Sequence, residues 1–442
     1  MPSIDWTNAS VLRFAGNRDP VEAIEEAARA EVLAALDAGW KGPPFNPIAL
    51  ADIRGIPVEA NADVRDARTV TAGDRLWIQF NPTQPRERVR FSIAHEVAHT
   101  LFDDAAEADR HRGGDGSPDD WQLEMLCNIA AAEFVMPVGS LGAIDQVRPI
   151  EELMTDRRRF DVSAEAYLLR VCKVASEQVL VVFASASDEG IPRYRIDYAV
   201  PSRGWSPRVN DITPPKNTLL RECTAVGFTV RGDETWSGLG PVSIECVGLP
   251  GYPGRLLPRV ACLVRQAGGV ATKREGISYL QGDVLQPRGT APQLVLMMVN
   301  DMARRWGGGL ARTAAKRFPQ AQKEFSGWIM GLPRKERLGQ ALFTDVGDGV
   351  TLVSLVAQEG YGASDAPRIR YAALSKALAR VADEATRRGA SVHMPRLASG
   401  GAGGSWDLVE GIVTEVLVDR GIPTTVYDLP PRRIMPEADL LA

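Results

Sequence analysis

Histidine is the scarcest titratable residue in this 442-residue chain, with four copies. Any chemistry that needs several imidazoles therefore has few places to be. Cysteine is scarce as well. The five cysteines form no CxxC pair and no dense framework, which excludes a disulfide scaffold and fits reduced thiols in a cytoplasm. No apolar run approaches the ~18 residues of a membrane span. The start, MPSIDWTNAS, lacks the basic region and apolar core of a signal peptide. Lysine is rare, 8 against 43 arginines, and the net charge of −5 gives no global attraction to nucleic acid or anionic membrane. What is present is an ordinary globular mix, 45% hydrophobic and 24% charged, long enough for about three domains.

The charge is unevenly spread. From Lys273 to the end there are 22 basic and 18 acidic residues, a net +4, so the rest carries −9. The C-terminal third is electrostatically a different object. Asp19-Pro20 marks a helix start, N-cap aspartate then proline at the first helical position, and the run after it has helical apolar spacing. Strand LWIQF (76–80) follows a short helix and strand, and a helix is expected from about Pro85 to Phe102. Residues 111–120 read as a polar Gly/Asp loop, 121–134 as a helix closed by Met136-Pro137, and 151–171 as two short helices, the second starting near Ser163. From Val179 to about Gln266 the runs VLVVFAS, RYRIDYAV, CTAVGFTV and VSIECVGL are strand-like. Gly268-Gly269 offers a linker. Beyond Lys273, strands ISYLQGD, QLVLMMVN, VTLVSLVAQ, VHMPRLA and TTVYDL alternate with helical runs, which predicts α/β layers on a mostly parallel sheet.

The first chemical signal is FSIAHEVAHTLF. Two histidines four apart share one helix face, where both imidazoles can bind Zn²⁺, and Glu96 can act as general base on a water. A catalytic zinc takes a third protein ligand. Glu124 on the following helix is the best-placed carboxylate and Glu133 the runner-up. Two and a half turns separate them, so one ion could hardly take both. Cys127 reads as a core cysteine, and His111 as a solvated loop residue.

The surroundings resemble a family. RERVRFSIAHEVAHTLF, an E-x-x-x-N segment and AAAEFVMP are similar to the ImmA/IrrE metallopeptidases, whose members read R-x-R-F-x-x-A-H-E-x-x-H before a Glu-led helix ending in Met-Pro. The resemblance covers about residues 40–140. It implies His95, His99 and Glu124 as zinc ligands and Glu96 as the base. It departs at Cys127, where the family often has alanine. DRRRFDVSAEAYLLRVCKV is similar to the small helix-turn-helix-like segment of longer members, and the β-rich region to their GAF-like sensor domain. The family resemblance implies a regulatory protease whose usual substrate is a DNA-bound repressor. Arg157–Arg159 could touch phosphate, but a solvated helix end is the more economical reading of that run.

The second signal is a pair of strand–glycine-loop–helix units, NDMARRWGGGLA (300–311) and SGGAGGSW (399–406). Glycine lets a backbone approach phosphate closely, and a helix N-terminus adds a positive dipole end. Neither loop is a Walker A motif or GxGxxG. The pattern resembles a macro domain, an ADP-ribose-binding fold, over about residues 273–430. That resemblance implies Asp283 on the adenine amino group, Asn300, Gly307, Gly308 and Gly309 along the distal ribose and phosphate, and Ser399, Gly400, Gly401 and Ala402 around the diphosphate, with Trp306 a candidate to shield the ribose or a core residue. Some ADP-ribose-removing members use a lysine and an aspartate where this chain has Gln358 and Ala402. Neither can serve those roles.

The expected protein is thus a multidomain α+β bacterial-type chain. It has a zincin-like helical metallopeptidase (1–140), a small helical segment (141–178), a GAF-like β-rich domain (179–270) and an α/β macro domain (271–442). The expected function is a cytoplasmic regulatory zinc endopeptidase cutting a repressor or antitoxin-type protein, coupled to ADP-ribose or ADP-ribosylated macromolecules, with no membrane partner. Two alternatives stand beside it: an ADP-ribosyl hydrolase or antitoxin whose N-terminal part recognises the target, and a non-catalytic sensor holding an inert zinc.

Overall fold

The computed structural model describes residues 4–72, 75–105, 110–111, 118–137, 139–142, 144, 146–186, 194–203, 205, 207, 209, 212–251, 259–266, 276–362, 364, 366–398 and 402–428. The chain divides into two compact units, Met1–Arg274 and Glu275–Ala442. Among the described residues no helix is long and apolar enough to cross a membrane.

The first unit opens with helices α1 (Ala9–Ala15), α2 (Pro20–Asp37) and α3 (Pro47–Ile53). Asp19 caps α2, accepting from the Val21 and Glu22 amides, with Pro20 at the position where a missing N–H costs nothing. Strands β1 (Val58–Ala60), β2 (Ala67–Ala72) and β3 (Arg75–Phe80) come next, then helix α4 (Arg86–His99), the two-residue strand β4 (Arg110–His111) and helix α5 (Asp120–Val135). The sheet order is β1-β3-β2-β4, parallel only at β1/β3. Helix α4 packs against β2, β3, α3 and α5. Its polar start, RERVR, gives way to eight consecutive buried residues, Ser92–His99. A helix buried on every side is what brings polar side chains into the interior here.

Helices α6 (Ile150–Phe160) and α7 (Ala164–Val174) lead into strands β5 (Leu180–Ala186), β6 (Tyr194–Pro201), β7 (Thr229–Trp236), β8 (Gly240–Leu249) and β9 (Arg259–Gln266). These form an antiparallel sheet in the order β6-β5-β9-β8-β7. Alternation decides which side chain goes where. Val181, Phe183, Val247, Leu249, Ala261 and Leu263 join the core of the helices, while Leu180, Val182, Ile244, Cys246, Cys262 and Val264 form a second core with Trp236 and Leu220. All five cysteines are buried and free.

The second unit is a six-stranded sheet, β10 (Ser278–Gln281), β11 (Gln293–Asn300), β12 (Ala341–Gly347), β13 (Val350–Gln358), β14 (Ser391–Pro395) and β15 (Thr424–Asp428), with helices α8 (Gly309–Arg317), α9 (Pro319–Gly331), α10 (Tyr371–Arg388) and α11 (Trp406–Val416). The order is β10-β15-β14-β11-β13-β12. All pairs are parallel except β12/β13, which caps one edge. Val295, Met297 and Val299 meet Ala314, Phe325 and Ile329 in one core.

Several expectations shift. Helix α4 stops at His99, three residues early, where the Thr100 hydroxyl donates to the Val97 carbonyl. CTAVGF is not strand: Gly227 takes φ +80 and its amide donates to the Gly248 carbonyl, so β7 begins only at Thr229. ARTAAKRFPQAQKEF splits at Pro319, which has no N–H to continue a helix and starts α9 instead. His111 is not loop, since its backbone pairs with Arg68 on β2. Gly268-Gly269 lies outside the described residues.

Candidate functional site

In the first unit α4 and α5 bring three predicted groups together. His95 Nε2 and His99 Nε2 are 3.1 Å apart. The Glu124 carboxylate faces both, Oε2 3.1 Å from His95 Nε2 and Oε1 3.3 Å from His99 Nε2. The imidazoles are turned by their far sides. His95 Nδ1 donates to Asn128 Oδ1 at 3.0 Å, and His99 Nδ1 lies 3.4 Å from Cys127 Sγ. Each ring therefore aims its Nε2 at the same point. Both rings are buried, while Glu124 is 29% exposed, so the cluster opens to solvent on the carboxylate side.

Two ring nitrogens and two carboxylate oxygens held this close repel unless positive charge lies among them. Ligands about 2.0–2.1 Å from a tetrahedral ion lie roughly 3.3 Å from one another. The spacings of 3.1–3.3 Å fit a single metal ion. His95, His99 and Cys127 also form a compact group of metal-ligating residue types. Cys127 meets His99 through Nδ1, however, on the ring side away from Glu124. Burial pushes the Cys127 thiol up, while the hydrogen bonds of His95 and His99 outweigh burial at Glu124 and hold its carboxyl below the usual carboxylate range. Glu96, one residue along α4, is buried, and Thr69 on β2 donates to its Oε2 at 2.9 Å.

In the second unit the parallel strands all end on one edge of the sheet. Asp283 follows β10, its Oδ1 accepting from the Leu285 amide, with the Arg317 guanidinium 3.7 Å from Oδ2. Asn300 closes β11, where its Oδ1 accepts from the Met302 amide. Gly307 and Gly308 lead into α8, whose N-cap Gly308 contributes no side chain, and Gly309 opens that helix at φ +51. Ala402, after β14, is buried and its carbonyl accepts from Arg368 and Ile369. Ser399, Gly400 and Gly401 lie outside the described residues. Trp306 is core: it is buried beside Phe325, and its Nε1 donates to Ser354 Oγ.

Comparison with known proteins bears on both units. Residues 53–171 match the IrrE N-terminal-like domain family, Peptidase M78. The first unit carries an IrrE-like metallopeptidase domain. The chain is 32% identical over 120 residues to the radiation response metalloprotease IrrE of Deinococcus deserti, covering 26% of this chain and 43% of that protein. It is 31% identical over 162 residues to the mouse (Mus musculus) chromodomain-helicase-DNA-binding protein 1-like, covering 35% of this chain and 18% of that protein. It thus spans less than half the length of these curated relatives. A macrodomain protein from Streptomyces coelicolor is 35% identical, covering 34% of this chain and 98% of that one, with a TM-score of 0.30.

Within the IrrE-like domain the structure separates the two candidate third ligands. Glu133 points away from the histidines, held by Arg29 at 2.8 Å and by Arg170, which also donates to the Met136 carbonyl. It ties α2, α5 and α7 together. Breaking such a buried pair costs about 3–5 kcal/mol, so its role is structural. Two positioning residues escaped the sequence reading. Asn128 was visible as the N of E-x-x-x-N, one turn beyond Glu124, but nothing in that spacing assigns it to a histidine. Thr69 carried no signal, because the strand containing it was not expected.

Proposed function

We propose that the chain is a regulatory zinc-dependent endopeptidase coupled to an ADP-ribose-binding macro domain. The observation that carries the first half is the triangle of His95, His99 and Glu124 beside a buried Glu96. His95, His99 and Glu124 would hold Zn²⁺, which when bound supplies a Lewis acid that polarises the peptide carbonyl and lowers the pKa of water. Asn128 and Cys127 fix the two ring orientations. Glu96, steadied by Thr69, takes the proton of the attacking water and returns it to the leaving amine nitrogen. The substrate is a protein, in the family pattern a DNA-binding repressor or antitoxin-type protein.

For the second half, the loops after β10, β11 and β14 leave the same sheet edge, where phosphate-binding loops of α/β folds act. Asp283 reads adenine, and Asn300, Gly307–Gly309 and Ser399–Ala402 line ribose and diphosphate. Gln358 spends its Nε2 on the Gly360 carbonyl and Ala402 offers only a buried methyl, so we assign this edge binding rather than hydrolysis. The division follows 1–140, 141–178, 179–270 and 271–442, with the β5–β9 sheet as the GAF-like sensor and a cytoplasmic setting.

The test is cleavage of a peptide library by the full chain, read by mass spectrometry, with zinc measured in parallel. Glu96→Gln should keep the metal and lose cleavage. Equal cleavage by that variant would remove the catalytic assignment.

A further inference from the structure

A cavity of about 560 Å³ opens beside the proposed ADP-ribose edge, lined by Met302, Arg334, Glu359, Tyr361, Arg368 and Arg370 among others. Its walls come from three segments that the fold locks together. The Asp301 amide donates to the Gln358 carbonyl, and the Gly360 amide donates to Asp301 Oδ1 at 2.7 Å, which joins the loop after β11 to the loop after β13. The Arg368 amide donates to the Ala402 carbonyl, which joins the third wall to the loop after β14. The cavity is therefore a built feature of the sheet edge.

Its chemistry is mixed in a particular way. Three arginines face one glutamate, and Arg370 already satisfies that glutamate through Nε and Nη2. Arg334 uses its Nε on the buried Asp301, yet its side chain is 58% exposed, so the guanidinium charge stays presented. Arg304, Arg305 and Lys335, in the segments that supply Met302 and Arg334, are exposed as well. Against this cationic wall stands an aromatic face: Tyr361 is 65% exposed and Met302 is 42% exposed. Leaving a tyrosine ring this open beside arginines suits a planar ring carried next to a phosphate, since arginine takes the phosphate and the phenol face takes the base. A carboxylate ligand would use the arginines and leave the ring idle.

We propose that this cavity is a second nucleotide site, taking the phosphate on Arg334, since Arg368 already donates to the Gly362 and Glu359 carbonyls, and stacking the base on Tyr361. It stands on these residues alone and does not depend on the ADP-ribose reading. The nucleotide can be free or part of a single strand, and the experiment separates these. The full chain is titrated by calorimetry with uridine monophosphate and by fluorescence anisotropy with a short labelled single strand of mixed sequence. Uridine lacks the amino group that Asp283 would read, so Asp283→Ala should leave both titrations unchanged.

Arg334→Gln can still donate to Asp301 while removing the charge, and should weaken binding about tenfold. Tyr361→Ala should weaken it by a similar factor and Tyr361→Phe restore it, because stacking needs the ring and not the hydroxyl. Binding of the strand with a salt dependence that Arg334→Gln makes shallower assigns the site to polynucleotide. Binding of the mononucleotide alone assigns it to free nucleotide. Binding of neither probe, or binding unmoved by Arg334→Gln, overturns the proposal. Loss with Arg334→Gln but not with Tyr361→Ala overturns it too, in favour of a plain anion site.

Discussion

The two units build their candidate sites by opposite means. The IrrE-like domain uses side-chain atoms. Three candidate ligand groups and one candidate base project from two packed helices, three of these four are all but sealed from water, and every ring nitrogen has a partner that fixes it. The second unit uses loops. Its candidate groups sit at the ends of parallel strands, several of them exposed, and they rely on backbone amides and a helix start that carries no side-chain cap. A site of side chains in a close-packed core is rigid before any ligand arrives, so it suits chemistry that tolerates little misplacement. A site of loops suits recognition of an extended ligand, where many modest contacts add up.

That contrast can be broken most sharply at Glu96. Replacing it by glutamine should lower peptide cleavage by about a thousandfold, the usual scale for a general base, with zinc content and ADP-ribose affinity both intact. A parallel loss of ADP-ribose binding in calorimetry would mean the two sites are not independent.

The second-largest effect is one of stability, in the loop-bearing unit. His393 on β14 is buried, between Ser391 Oγ at 2.8 Å and Tyr427 at 3.3 Å, and burial lowers its pKa from 6.5 to about 4. Between those values the unfolded chain binds a proton that the fold excludes. The stability present above pH 6.5 is therefore lost as the pH falls through 4, by at most about 3 kcal/mol. Urea unfolding at neutral and mildly acidic pH measures this. His393→Gln should flatten the dependence, and an unchanged slope in that variant would place the titrating group elsewhere.

Asp283→Ala should weaken ADP-ribose binding about tenfold while leaving peptide cleavage untouched, since it removes one charged hydrogen bond of many. Equal heats for variant and parent would end its assignment to adenine. The smallest effect belongs to Thr69→Val. Removing the hydroxyl that steadies Glu96 should slow cleavage by about three- to tenfold with zinc retained, as expected for one neutral hydrogen bond. A loss as deep as that of Glu96→Gln would make Thr69 more than a positioning residue.

The candidate metal-binding cluster was legible because a helix has a fixed period. His95 and His99 four apart must share a face, and Glu124 opened a helix that had to pack somewhere near. Asn128 stood in the motif without a role, because the sequence says nothing of which ring nitrogen it meets. Glu133 and Glu124 looked alike as carboxylates on one helix, and only the arginines from α2 and α7 distinguish them. The CTAVGFTV run misled because its apolar residues are those of a strand, while Gly227 turns the chain before pairing begins.

The sequence by itself determined local things: the helix carrying HExxH, the glycine loops after apolar strands, the alternation of strand and helix beyond Lys273, and the reversal of charge there. Each depends on neighbours within a few residues, where backbone period and steric preference decide. Tertiary structure alone decided which groups meet across long stretches of chain. It set Thr69 against Glu96, turned Glu133 away to Arg29 and Arg170, and joined the 301, 334 and 360 segments around one cavity. Those contacts follow from how sheets and helices pack, and packing depends on the whole set of buried side chains at once rather than on any one stretch.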